Sequence, residues 1–184
     1  MGTKGAETRQ RMIEATRSSI ERRGYFGTGL NQILSDSDTP RGSLYFHFPG
    51  GKDELVAAAI TQPSGVIDSA IAAADITDPA AAVTELITLL GDRLEASGWE
   101  CGCPVATVAL ETAATNDTVQ RACAQVYERW TETLRIGLHA AGYRDAEDLA
   151  VSLLALIEGA LLLAQTHRDR EPLNRAARVA RSLL

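Results

Sequence analysis

Residues 39–55 read TPRGSLYFHFPGGKDEL, and this stretch decides how the chain folds. Proline at a first helical position costs no hydrogen bond, because the first N–H groups of a helix lack intrahelical partners anyway. Pro40 is therefore expected to open a helix that runs to about Phe46, with Thr39 as its cap. Pro49-Gly50-Gly51 stops it. Lys52-Asp53-Glu54-Leu55 begins the next helix, with acids in its first turn where the helix dipole favours them. Just upstream, residues 28–35 carry Leu30, Ile33 and Leu34 at helical spacing, and only Asp36-Ser37-Asp38 separates this helix from the one after Pro40. Two short helices joined by so brief a turn form a helix-turn-helix if they cross steeply.

Working outward, residues 3–23 place Ala6, Ile13, Thr16 and Ile20 on one helical face, and Gly24 suits the position just past a helix end. Downstream, Pro63-Ser64-Gly65 interrupts the fourth helix before VIDSAIAAA resumes it. Asp78-Pro79, Cys103-Pro104, Asn116-Asp117, Asp145 and Pro172 each open a further helix. No run of β-branched or aromatic residues alternates with period two, and aromatics are only 5% of the chain. The expected fold is all-α, about nine helices. Three form an N-terminal helix-turn-helix domain over residues 1–50, and the rest a larger helical bundle over residues 51–184.

The 184 residues are 45% hydrophobic and 23% charged, so the chain can build a core without disulfides or structural metal. Three cysteines do not make a framework. The stretch after Met1 is polar and basic, and runs such as 151–157 are far shorter than a bilayer span, so neither a secretory signal nor a membrane role is expected. A reducing cytoplasm is the expected location. The net charge of −6 speaks against nucleic acid as a partner, but the charge is uneven. Residues 1–52 hold eight Lys and Arg against five Asp and Glu, whereas residues 53–184 hold ten against nineteen. If a polyanion is bound, the first fifty residues bind it.

A helix lying in the DNA major groove needs small residues where its backbone approaches and polar or basic ones that reach bases and phosphates. Thr39, Pro40, Arg41, Gly42 and Ser43 supply that edge, while Leu44 turns to the core with Ile33 and Phe48. Tyr45 and His47 can bond phosphates where the helix ends. Lys52 and the N–H groups beside it can do so from the next helix, and Thr28 from the one before. Other roles stand beside these: Tyr45 also suits a packed aromatic, His47 and Thr28 suit helix caps, and Arg41 suits a solvated cation.

The stretch ETRQRMIEA, then ERRGYFGTGLNQIL, then PRGSLYFHFPGGKDELVAAAI, spanning residues 7–60, resembles the DNA-binding domain of the TetR/AcrR family of bacterial transcriptional regulators. With GCPVATVALE at residues 102–111, the chain is similar to the LmrA/YxaF-like branch over nearly its whole length. The resemblance implies a homodimer that binds double-stranded operator DNA through its heads and a small-molecule effector in its bodies. Two departures stand out. Asp36-Ser37-Asp38 replaces a small turn containing Gly, and Pro40 stands where Ser is frequent.

In the body, Trp99, Val105, Val108, Tyr127, Trp130, Leu134, Leu153 and Ile157 are the expected effector lining, with Glu111 and Glu158 as polar anchors. The same residues also suit a solid core. Leu149, Leu156, Gly159, Ala160, Leu163, Leu173, Ala177 and Ala180 are the expected dimer interface, as part of a four-helix bundle about a two-fold axis. Cys101-Gly102-Cys103-Pro104 places Cys103 at a helix start that favours a thiolate, which leaves a redox or metal sensor as an alternative. Against metal, C-x-C lacks further ligands at zinc-site spacing. No nucleophile motif is present, so no enzyme activity and no cofactor is expected. The function expected is a ligand-responsive regulator, in the first instance a repressor. The rival is a constitutive DNA binder with a solid body.

Overall fold

The computed structural model describes residues 3–62, 67–69 and 78–184. Among them are nine helices with full ranges and part of a tenth at residues 67–69, one more than the nine expected, and no strand, as the periodicity predicts. The helices are α1 Thr3–Arg23, α2 Leu30–Asp36, α3 Arg41–His47, α4 Lys52–Thr61, α5 Pro79–Ala96, α6 Pro104–Thr112, α7 Asp117–Ala140, α8 Ala146–His167 and α9 Glu171–Leu183. The expected break at Pro63-Ser64-Gly65 lies outside the described residues. So does most of the helix expected after it, of which residues 67–69 are helical.

Two compact units divide the chain, one of Met1–Gln62 with Cys103–Val126 and the other of Pro63–Gly102 with Tyr127–Leu184. Packing thus divides the chain after Gln62 rather than after Gly50. The reason is one shared core: Met12 and Ile13 of α1, Ile33 and Leu34 of α2, Leu44 and Phe48 of α3 and its cap, and Leu55 and Ala59 of α4. Arg17 on α1 adds a polar tie, donating to the carbonyls of Ala59 and Gln62 at 3.1–3.2 Å and so satisfying the end of α4. α6 also packs on α1, which brings it into the first unit.

Two helix starts differ from expectation. Pro40 is the cap of α3 and not its first residue, and Gly29 is the cap of α2. Neither Thr39 nor Thr28 caps a helix, because each hydroxyl is turned inward. Thr39 donates to the Ser37 carbonyl at 3.1 Å, and Thr28 to the Gly24 carbonyl at 2.7 Å and to Ser19 Oγ at 3.1 Å. Asp38 takes the left-handed conformation (φ 47°) in the turn between α2 and α3, where Gly fits without strain.

In the second unit α9 packs against both α8 and α5. Leu173, Ala176 and Ala180 form its buried face, so Leu173 and Ala180 are internal packing residues and not partner-facing ones; Ala160 is buried as well. Arg170 holds α5 from the α8–α9 turn, donating to Asp92 at 2.6 Å, Glu95 at 3.1 Å and the Thr88 carbonyl at 3.1 Å. Gly91 makes room for it: a Cβ there would lie 2.8 Å from the guanidinium. α8 is 22 residues long with a mean hydropathy of 1.9 over its most apolar window, long and apolar enough as a whole helix to cross a membrane, unlike the short runs within it. Only 33% of that window is buried, and Val151, Leu162 and Leu163 are among its exposed apolar residues.

Gly24 ends α1 at φ 66°, and a Cβ there would overlap the Glu111 carboxylate. Gly24→Ala is expected to lower the unfolding free energy by about 1–3 kcal/mol in urea titrations, combining left-handed strain with that overlap. Adding Glu111→Ala removes the overlap but not the strain. The double variant should therefore lose less than the two single losses combined; additive losses would show that the carboxylate yields freely.

Candidate nucleic-acid interface

α3 is a helix of seven residues, too short to be stable alone, and its hold on the protein comes from two buried side chains. Leu44 and Phe48, four residues apart, lie on the face that enters the first unit's core. The opposite face is left to solvent. Arg41, Gly42, Tyr45 and Phe46 are exposed there, and Ser43 and His47 are half-buried at its margins. These residues are what the head presents, and five of them match the expected DNA-facing set. Phe46 was not in that set. The residue is 75% exposed, and its ring meets only the edge of His47, at 4.9 Å, among the ring contacts described. Full burial of such a ring is worth about 1.5–3 kcal/mol, which this position forgoes. The signal was present in the sequence: Phe46 is two residues from both Leu44 and Phe48, off the face they share.

Gly42 also lacks an internal reason. Its φ is not positive, and a Cβ built on it meets nothing within 4 Å. Neither backbone strain nor packing in this chain calls for glycine there.

The remaining expected contacts are placed differently. Thr28 is fully buried and Thr39 nearly so, and with their hydroxyls bonded internally neither reaches a phosphate. Lys52 is half-buried, and its ammonium donates to the Tyr25 carbonyl at 2.7 Å while lying 4.1 Å from the centre of the Tyr25 ring. Burial pushes its pKa down. Glu54 accepts from the Gly50 N–H at 2.7 Å, so an internal carboxylate already serves the turn that opens α4.

Tyr25 gathers a network that periodicity does not announce. Its N–H donates to Glu111 Oε2, which also accepts from the Phe26 N–H at 3.3 Å. Its hydroxyl donates to Asp53, and Asn116 donates to that hydroxyl at 3.4 Å. Burial and the Asp53 carboxylate push the phenol up to about 12. Glu111, expected as a polar anchor for an effector, lies in the first unit and accepts backbone N–H groups there. Val105 and Val108 are buried in that same unit.

Of the expected effector lining, Trp130, Leu134, Ile157 and Glu158 come together in the second unit. With Ile67, Leu86, Leu90, Leu154 and Leu161 they surround an apolar cavity of about 20 Å³. Trp130 Nε1 donates to Asp68 at 3.1 Å, Arg129 pairs with the same carboxylate at 3.2 Å, and the Tyr127 ring stands edge-on to Trp130 at 5.8 Å. Leu153 is fully buried and Trp99 takes φ 69°; neither lines the cavity. Leu156, Gly159, Ala160 and Leu163 instead line an open groove of about 590 Å³ along α8 and α9. Leu149 and Ala177 are half-buried and lie off it.

Cys103 caps α6 and is buried, its sulfur accepting from the Ala106 N–H at 3.5 Å. Burial pushes the Cys123 thiol up to about 11, away from the reactive thiolate. Among the described residues no three metal-ligating side chains cluster.

Comparison with known proteins identifies this arrangement. The family model for bacterial regulatory proteins of the tetR family matches residues 12–59, and the model for the LmrA/YxaF-like transcriptional regulator C-terminal domain matches residues 79–179. The HTH-type transcriptional regulator LmrA of Bacillus subtilis (strain 168) is 32% identical over 171 residues, covering 91% of each chain. The HTH-type transcriptional regulator YxaF of the same organism is 29% identical over 175 residues, covering 93% of this chain and 92% of its own. A TetR transcriptional regulator from Chloroflexus aurantiacus J-10-fl superposes with a TM-score of 0.81 at 25% identity, over 98% of this chain and 96% of that one. Such relatives are regulators and not enzymes. The chain belongs to the TetR family of bacterial transcriptional regulators, in its LmrA/YxaF-like branch, and α2 and α3 are its DNA-binding helix-turn-helix.

Proposed function

We propose that the protein is a homodimeric, cytoplasmic repressor that leaves a partly palindromic operator when a small apolar effector binds its body. The observation that carries the DNA contact is Gly42. Glycine inside a helix costs about 0.5–1 kcal/mol relative to alanine, and here nothing within the chain requires it. A duplex backbone or base edge brought against α3 does require it. Arg41, Ser43, Tyr45 and His47 surround this point of approach, Arg41 as the base-reading or phosphate-binding cation and the others as hydroxyl and imidazole donors.

The groove along α8 and α9 supports the dimer. A second copy related by a two-fold axis presents the same apolar strip, and Leu163, 51% exposed, is central to it. Val151, Leu162 and Val179 extend the strip. At its rim Glu171 pairs within the chain with Arg175 at 3.0 Å and Arg178 at 3.1 Å.

Effector control requires differential affinity. Moving a population from 1:99 to 99:1 takes about 5.5 kcal/mol between the two states. The cavity beside Trp130 and Glu158 is the site this reading assigns, and it has to widen, since about 20 Å³ is room for one water. That small volume favours a second reading, a constitutive regulator with a solid body.

Four outcomes test these proposals. Arg41→Ala should abolish operator binding with the thermal unfolding curve unchanged. Gly42→Ala should raise stability by up to about 1 kcal/mol in urea while weakening operator affinity at least tenfold by fluorescence anisotropy; gain or loss of both together removes the argument from Gly42. Leu163→Glu should sediment as a monomer at micromolar concentration where the wild type sediments as a dimer. Finally, in a thermal-shift screen of apolar compounds, at least one should raise the melting temperature and weaken DNA binding. Stabilisation without release favours the constitutive reading.

A further inference from the structure

We propose that Phe46 reads the 5-methyl group of a thymine in each operator half-site. Gly42 and Phe46 are four residues apart on α3, so they lie on one face, one turn from each other. That face points away from Leu44 and Phe48, which hold the helix in the core. Along it the chain spends two side-chain positions against its own stability, a glycine with open space around it and a phenylalanine left 75% in water. A surface that fits both is flat where the backbone comes close and apolar one turn later.

The floor of the major groove has that character. Base edges there carry donors and acceptors, which a phenyl ring does not satisfy, and one apolar feature, the thymine methyl. The neighbouring row of α3, Arg41 and Tyr45, carries the polar groups that the flanking bases and phosphates need. The face is continuous with the DNA-binding helix-turn-helix, which makes a duplex its occupant rather than a second protein. Phe46 is then a specificity residue: it adds preference at one base pair, whereas Tyr45 and His47, with groups suited to phosphate, add affinity at any sequence.

The inference rests on the placement of α3 in the major groove, and the experiment separates the two. Operator duplexes are selected from a randomised library with the wild-type protein, and each thymine is then replaced singly by uracil, which removes only the methyl. One position per half-site is expected to weaken wild-type binding about fourfold, the worth of one buried methyl group. Phe46→Ala should bind the thymine and uracil duplexes equally at that position, and Phe46→Leu should keep part of the discrimination. Because the ring is exposed, both variants should melt with the wild type. If no uracil replacement matters, or if Phe46→Ala discriminates as the wild type does, the reading of thymine is overturned. Arg41→Ala is run in parallel: if it binds as the wild type does, the placement of α3 fails and the inference with it. If Arg41→Ala loses binding while uracil has no effect, only the role of Phe46 fails.

Discussion

The first unit depends on how the chain leaves α1. At Gly24 it turns through a left-handed residue, and the peptide groups that follow have no helical partners. Side chains from two other helices and from the loop before α7 supply them: Glu111 takes the N–H groups of Tyr25 and Phe26, Lys52 bonds the Tyr25 carbonyl, and Asp53 and Asn116 hold the Tyr25 hydroxyl. The turn is thus bonded at its donors, its acceptor and its side chain. Because Lys52 and Asp53 open α4, fixing this turn also fixes where α4 begins and, through the short Pro49-Gly50-Gly51 link, where α3 ends. Burial depresses the Lys52 pKa, and the adjacent Asp53 and Glu111 charges oppose that depression, so the network keeps its cation by surrounding it with anions.

Held from both ends, α3 needs little from its own sequence. A seven-residue helix gains almost nothing from propensity, and two buried side chains are enough to seat it once its flanks are fixed. The other positions are then free for recognition. This explains how the helix tolerates a glycine and an exposed phenylalanine in one short stretch, and why Pro40 at its cap is an advantage. Proline offers no N–H to satisfy and stiffens the entry.

Local pattern made the helices legible, since capping residues, prolines and glycines mark almost every boundary. Pro40 and Thr39 were misplaced by one position, which matters because it turns the Thr39 hydroxyl inward. Leu44 and Phe48 were readable as core from their spacing, and Arg41 and Gly42 as surface from theirs. Lys52 and Glu111 were not, for a physical reason. Their partners lie 27 and 86 residues away, and a charged side chain that bonds a distant peptide looks, in sequence, like one that faces solvent or ligand. Thr28 misled in the same way, because a hydroxyl before a helix suits a cap, a phosphate and an internal carbonyl equally well. The body was least legible, since Val105 and Trp130 both read as interior residues and only packing assigns them to different units.

The charge balance takes on a different meaning once side chains are placed. Eight cations in residues 1–52 promised attraction for a polyanion, yet Arg17 and Lys52 are bonded to carbonyls, and Arg9 lies over the Phe48 ring at 5.0 Å. Asp36 and Asp38 add exposed negative charge beside α3. Those three cations are held against the head's own groups, so fewer remain to approach phosphates, and non-specific affinity grows with the number of phosphates neutralised. On the proposed reading, fit at the base edges and a second head add to that affinity. In the proposed dimer the second head binds at the effective concentration set by the first, which multiplies affinity without any new contact. In that proposed dimer the exposed Leu162 and Leu163 of α8 belong to the surface that would join two heads, and a single head would hold DNA more weakly than the pair.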